Sequence, residues 1–180
     1  NHGLAPEFVT QYNGHSTSFA IQSVQDEQGK DYEYSRSGNA LRIGNKDTYV
    51  SGSKTYVITY TQRDVTRYYA NVGRDEFYWD VVGTEWRVPI RSATINLTLS
   101  PELAAAKLPE PRCYTGQQGS TTACTVNTTG DKIMTATVSS LEPNNGVTLA
   151  LGFPQGTFAA YQKTAQERFE ERLAVFLAQI

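Results

Sequence analysis

Four segments of the chain alternate apolar and polar residues with a period of two, and this pattern narrows the fold more than any other feature. In 93–99, Ala93, Ile95, Leu97 and Leu99 take one side while Thr94, Asn96 and Thr98 take the other. In 147–153, Val147, Leu149, Leu151 and Phe153 share a side. In 77–81, Phe77, Trp79 and Val81 alternate with Tyr78 and Asp80, and in 55–61, Tyr56, Ile58 and Tyr60 alternate with Val57 and Thr59. Successive side chains of a strand point to opposite faces, so each segment reads as a strand with one face on a core. Weaker strand patterns occupy 17–24, 32–35, 40–43, 67–70 and 133–138. Turn chemistry separates them: Gln28-Gly29, Ser37-Gly38-Asn39, Gly44-Asn45, Ser51-Gly52-Ser53, Gly130-Asp131 and Asn144-Asn145-Gly146 tolerate positive φ or close tight turns. Short strands with regular turns and no βα alternation predict an all-β, two-sheet antiparallel β-sandwich, immunoglobulin-like in general architecture.

Two segments depart from this pattern. Residues 103–108 have helical composition, and the Pro-rich stretch 108–112 ends them, as a crossing between sheets would. From about Thr157 the spacing becomes helical, with Ala165, Phe169, Leu173, Phe176, Leu177 and Ile180 three and four apart among Glu167, Arg168, Glu170, Glu171 and Arg172. The expected organisation is a β-sandwich over 1–158 and a C-terminal helix over 159–180. That helix either packs its stripe on the domain or leads towards a membrane segment or partner. The cost of leaving so apolar a stripe in water favours packing.

The chain has 180 residues, enough for one substantial core, and shows no internal repeat or low-complexity tract. Charged residues are 19% and the net charge is −2, with the basic residues scattered, so no stripe exists to neutralise a run of phosphates and nucleic-acid binding is excluded. The most apolar stretches are strand-length, far short of the ~20 residues that span a bilayer. The opening Asn1-His2-Gly3 has no charged region followed by an apolar run, so either a leader has been removed or the sequence is an excised piece.

Cys113 and Cys124 are the only cysteines and flank a polar, Gly-rich loop able to fold back on itself. They are too far apart for a C-x-x-C pair, and no nearby His or third Cys completes a zinc site. They predict a disulfide worth roughly 3 kcal/mol, and with it an oxidising compartment. The competing reading is two buried thiols in a cytosolic protein.

Catalytic chemistry has little to stand on. His2 and His15 are the only histidines, both in polar surroundings and expected to be solvated; no nucleophile elbow, zincin motif or phosphate loop is present. Asp75, Glu76, Asp80 and Glu85 would serve a glycoside-type hydrolase only if two of them faced each other across a cleft. Adjacent Asp75 and Glu76 point to opposite faces, and the expectation is solvated turn acids. Asp26, Glu27 and Asp31, or Asn45 and Asp47, are turn residues without the spacing of a calcium loop. No catalytic residue, metal or cofactor is expected. Asn96-Leu-Thr98 and Asn127-Thr-Thr129 match the glycosylation pattern, which carries no meaning in a bacterial host.

The aromatic residues Tyr68, Tyr69, Phe77, Tyr78, Trp79 and Trp86 lie within one hairpin's reach. Strand parity puts Phe77 and Trp79 in the core and Tyr78 outside, with Trp86 just after a turn. Tyr69, Tyr78 and Trp86 are therefore the candidate binding surface, as a platform for sugar rings or an anchor for a protein. The competing reading is core or edge packing.

Several segments resemble a known family. Residues 75–90 (Asp-Glu-Phe-Tyr-Trp-Asp-Val-Val-Gly-Thr-Glu-Trp-Arg-Val-Pro-Ile), 50–60, the 93–99 strand, Cys113-Tyr-Thr-Gly116, Gly152-Phe-Pro-Gln-Gly156 and the opening Asn1-His2-Gly3-Leu4 are similar, in order and spacing, to the YciQ-like predicted membrane proteins of bacteria. The resemblance covers residues 1 to about 158. It implies an extracytoplasmic N-terminal domain of a membrane-anchored protein, preceded by a signal sequence and followed by membrane helices. The family's function is unknown, so no site residue is implied. The family's usual first strand has no counterpart, which implies a trimmed domain, and 162–180 has no match. The function expected is a non-catalytic extracytoplasmic interaction or sensor domain with a protein or envelope polymer as partner. A carbohydrate-binding module is the alternative, and a hydrolase a more distant one.

Overall fold

The computed structural model describes residues 6–12, 14–44, 49–129 and 133–177. His2, Asn45 and Asp47 lie outside them. The N-terminal part is built from three small antiparallel pairs: β1 (Gln11–Tyr12) with β2 (His15–Ser16), β3 (Ala20–Gln25) with β6 (Val57–Thr61), and β4 (Tyr34–Ser37) with β5 (Ala40–Ile43). The β4–β5 turn closes through Gly38 and Asn39, with Gly38 at φ 60°, the left-handed conformation a two-residue hairpin loop requires. Val24, Leu41 and Ile43 form a small core, with Phe8, Ile21, Tyr32, Tyr56 and Ile58 packed on it. Beside it Phe8 and Phe19 stack at 4.7 Å, and the Arg36 guanidinium lies 4.8 Å from the Phe19 ring centre.

The remaining strands make the sandwich. One sheet runs in the order β10 (Arg112–Gly116), β13 (Gly146–Pro154), β8 (Arg74–Val82), β7 (Thr66–Tyr69). The other runs β11 (Val126–Thr129), β12 (Ile133–Leu141), β9 (Ile90–Thr98), and every pairing is antiparallel. The alternation in β9 and β13 sets the core: Val147, Leu149, Leu151 and Phe153 meet Ala93, Ile95, Leu97, Ala136 and Val138. Cys113 is buried in the same cluster and is bridged to Cys124, with Cα atoms 5.0 Å apart. The intervening loop doubles back, with Thr115 N–H donating to the Thr122 carbonyl and Cys124 N–H to that of Cys113.

The protein is thus mostly β, sandwich-like, with a C-terminal helix, as the periodicity predicts. The weaker strands are found within a few residues of expectation; β1, β2, β10 and β11 were not anticipated. The short helix α1 is Pro101–Ala106 rather than 103–108. Ser100 starts it, its side chain accepting from Leu103 N–H, with Pro101 in the first turn where its missing N–H costs nothing.

Three expectations are corrected. His15 is not solvated: it is 7% exposed, its Nε2 sits 2.9 Å from the Asp64 carbonyl, and its ring stacks on Tyr161 at 3.9 Å. Asp75 and Glu76 are not turn acids but lie within β8 at 4% and 8% exposure. They stay buried because each has a partner: Asp75 accepts from Phe158 N–H at 3.1 Å, and Glu76 from Arg74 Nε at 2.7 Å. Third, the C-terminal helix α2 (Ala165–Leu177) does not pack its stripe on the sandwich. None of its residues is buried among the described residues, and Phe169 and Phe176 are 66% and 61% exposed.

Candidate binding groove on the outer sheet face

Strand β8 sorts its side chains by parity. Phe77 and Val81 pack on the core and Trp79 is buried, so Arg74, Glu76, Tyr78 and Asp80 occupy the opposite face. Register extends that face across the sheet, because directly opposed residues of an antiparallel pair share a side. Glu76, Tyr78 and Asp80 oppose Gly152, Ala150 and Thr148 on β13; Ala150 and Thr148 in turn oppose Arg112 and Tyr114 on β10. The central strand therefore presents only small side chains between two strands carrying large ones. It becomes the floor of a trough, and β8 and β10 become its walls. Tyr78 and Tyr114 lean towards each other above it, ring centres 6.4 Å apart and planes 35° from parallel.

Three depressions adjoin along this face. The first, of about 50 Å³, lies among Arg74, Glu76, Arg112 and Gly152. The second, of about 280 Å³, shares Tyr78 and Tyr114 with the first and adds Asp80, Thr148 and the loop 116–121. The third, of about 990 Å³, shares Asp80, Thr84 and Gln118 with the second and opens between Trp86 and residues 6–11 of the N-terminal part. The three depressions thus lie side by side along β8 and the turn that follows it, from Arg74 to Trp86.

Its polar groups are held in place. The Arg74 guanidinium contacts Glu76 Oε1 at 2.5 Å. Thr148 Oγ1 donates to Asp80. Tyr12 donates through its hydroxyl to the Tyr78 carbonyl at 3.3 Å, tying the N-terminal part to the groove wall. Burial raises the pKa of the Tyr78 hydroxyl and the Asp80 charge adds to it; burial likewise raises that of Tyr12. A hydrogen bond from Arg112 to Tyr114 raises the guanidinium's pKa further. Such a surface offers aromatic faces, hydroxyls and fixed charges along an extended path, which suits a linear ligand.

Of the residues singled out in the sequence, Tyr78 and Trp86 lie on this one path. Tyr78 is exposed and Trp86 half-buried at the far end, its carbonyl accepting from Asn144 N–H at 2.7 Å. Tyr69 stands on β7 opposite Arg74, with the Arg67 guanidinium 4.8 Å from its ring centre. Sequence reasoning missed Tyr114. The signal was available: a bridged Cys113 facing the core puts the next residue outside. Among the acids, Asp75 lies on the opposite face of β8 from Glu76 and Asp80, and Glu85 is exposed in the turn after the strand. Asp26 caps its own turn, accepting from Gln28 and Lys30 N–H, and Asp31 accepts from Gln25. Among the described residues no cluster of His, Cys, Asp or Glu is arranged to hold a metal.

The family model described as Predicted membrane protein (DUF2207) N-terminal domain matches residues 4–153. The chain belongs to this family. No curated protein and no solved structure matches it. In this DUF2207 chain the matched span takes in the N-terminal part and nearly the whole sandwich, including the disulfide and all of the groove, and ends before α2. No helix among the described residues is long and apolar enough to cross a membrane.

Proposed function

We propose that this DUF2207 domain is a non-catalytic extracytoplasmic interaction or sensor domain of a YciQ-like bacterial membrane protein. Its outer sheet face receives an extended partner, a protein segment or an envelope polymer. The observation that carries this reading is the trough over β13, floored by Gly152, Ala150 and Thr148 and walled by Tyr78 and Tyr114, with depressions on both sides of the two rings. The Cys113–Cys124 bridge supports an oxidising compartment, because cytosolic thiols are kept reduced. A saccharide polymer is a second reading, favoured by the shallow angle between the two tyrosine rings, which offers an apolar shelf with hydroxyls at its rim.

The test is an amide-resolved NMR titration with soluble peptidoglycan fragments and, separately, with proline-free extended peptides. Shifts confined to residues 74–80, 112–118 and 148–152, and lost in Tyr78→Ala/Tyr114→Ala with unchanged thermal midpoint, are expected for one probe class. Shifts that map to the opposite sheet, or that survive the double substitution, would overturn the groove assignment.

A further inference from the structure

Among the described residues, helix α2 carries an exposed apolar face that the fold leaves uncovered. Its start is well defined: Thr164 and Glu167 exchange bonds, Glu167 N–H donating to Thr164 Oγ1 and Thr164 N–H to Glu167 Oε2, a reciprocal cap. At 3.6 residues per turn, Ala165, Phe169, Leu173, Phe176 and Leu177 fall on an arc roughly 120° wide. Gln166, which lies within that arc, reaches sideways to Glu170. On the other side, Glu167, Glu170, Glu171 and Ala174, with Lys163, line an open hollow with Gly14, and Lys163 pairs with Glu171 at 2.7 Å. The stack of Tyr161 on His15 fixes the approach to the helix. The side carrying Glu167, the one half-buried residue of the helix, is therefore nearest the domain, and the apolar arc is exposed.

We infer that α2 lies on the surface of a lipid bilayer, its axis in the membrane plane and its Phe169–Leu173–Phe176 face among the acyl chains. Thirteen residues give a helix about 20 Å long, too short to cross a hydrocarbon core of about 30 Å. The amphipathic arrangement is the one that interfacial helices use. Arg168 and Arg172 fall on one side of the arc, where guanidinium groups meet lipid phosphates; Glu170 falls at its other border, bonded to Gln166, and Glu167 and Glu171 lie farther round the helix. The family is one of membrane proteins, so a bilayer lies within reach of the same molecule and docking on it is favoured by effective concentration. A second copy is the less fitting occupant, because the seam at 169, 173 and 176 spans under two heptads where a coiled coil needs about three or four. The inference does not rest on the groove.

Flotation of the 180-residue chain on vesicles, without reductant, tests it. The chain is expected to float with phosphatidylcholine vesicles and more so when phosphatidylglycerol is added, the increment falling with salt. Phe169→Glu/Phe176→Glu is expected to cut the bound fraction at least tenfold, and Phe169→Leu/Phe176→Leu to retain it, with thermal midpoints of the domain unchanged in both. Absence of flotation by the unsubstituted chain, or flotation that the Glu pair leaves intact, would overturn the inference. So would a dimer, seen by light scattering, that the Glu pair dissolves, because that assigns the arc to a second copy.

Discussion

Gly146 shows how much one missing side chain permits. It opens β13 beside the register shift at Val147 and Thr148, and a Cβ placed there would stand 2.4 Å from the Val82 carbonyl oxygen. The obstacle is backbone rather than a flexible tip, so the sheet itself would have to move. Gly146→Ala is expected to destabilise the domain by about 1–3 kcal/mol, the usual cost of overpacking. A fall in the urea midpoint at unchanged slope checks it; a midpoint unaltered within error would show that β8 and β13 separate freely there. Asp75 makes the complementary point. Read as one of a run of acids it looked solvated, yet it is buried because the chain returns to it eighty-three residues later with the Phe158 amide. No local pattern encodes that partner.

At the scale of elements, α2 depends on its first turn. The Tyr161 hydroxyl donates to the Glu167 carboxylate and, with the Thr164 N–H, lowers its pKa from 4.5 to about 2. A carboxylate with a depressed folded pKa contributes helix stability in full above its unfolded value and loses it as pH falls through the folded one. The carboxylate's share of the cap is therefore present in full above 4.5 and lost as the pH falls through about 2, while the bond from Glu167 N–H to Thr164 Oγ1 does not titrate. Carbon chemical shifts of residues 165–177 are expected to lose helical character across that window, and Glu167→Gln to flatten the response. Helicity that persists unchanged through the window would remove the cap from the account of α2. Strand β10 teaches a different lesson at this scale. It was not read as a strand because Arg112–Gly116 lacks alternation in hydrophobicity, its inward position being filled by a cystine half rather than an aliphatic residue.

Among the described residues, two hydrophobic clusters of unequal size are found. The sandwich cluster holds seven buried residues, including the bridged Cys113, and the N-terminal cluster holds three. Local stability follows buried apolar contact, so opening should cost least in the smaller cluster. Amide hydrogen exchange read by mass spectrometry is expected to protect β8 and β13 by at least tenfold more than β4 and β5. Equal protection would mean that the two clusters unfold as one unit. The large end of the groove lies where the N-terminal part meets the Trp86 loop, so motion between these clusters would alter its width and leave the trough over β13 unchanged.

The sequence by itself determined the class of fold, because period-two alternation leaves few arrangements besides packed antiparallel sheets, and it determined the inward face of β8, β9 and β13 by parity alone. It also placed the disulfide, since a polar loop of that length closes readily, and it marked Tyr78 as outward. Tertiary structure decided what parity cannot reach. Which strands lie side by side set the small residues of β13 between β8 and β10 and so created a groove with Tyr114 in its wall. Where the chain returned in space decided that Asp75, Glu76 and His15 are buried with partners. The stack of Tyr161 on His15, which fixes the approach to α2, joins residues some 150 apart, a distance over which no spacing rule operates.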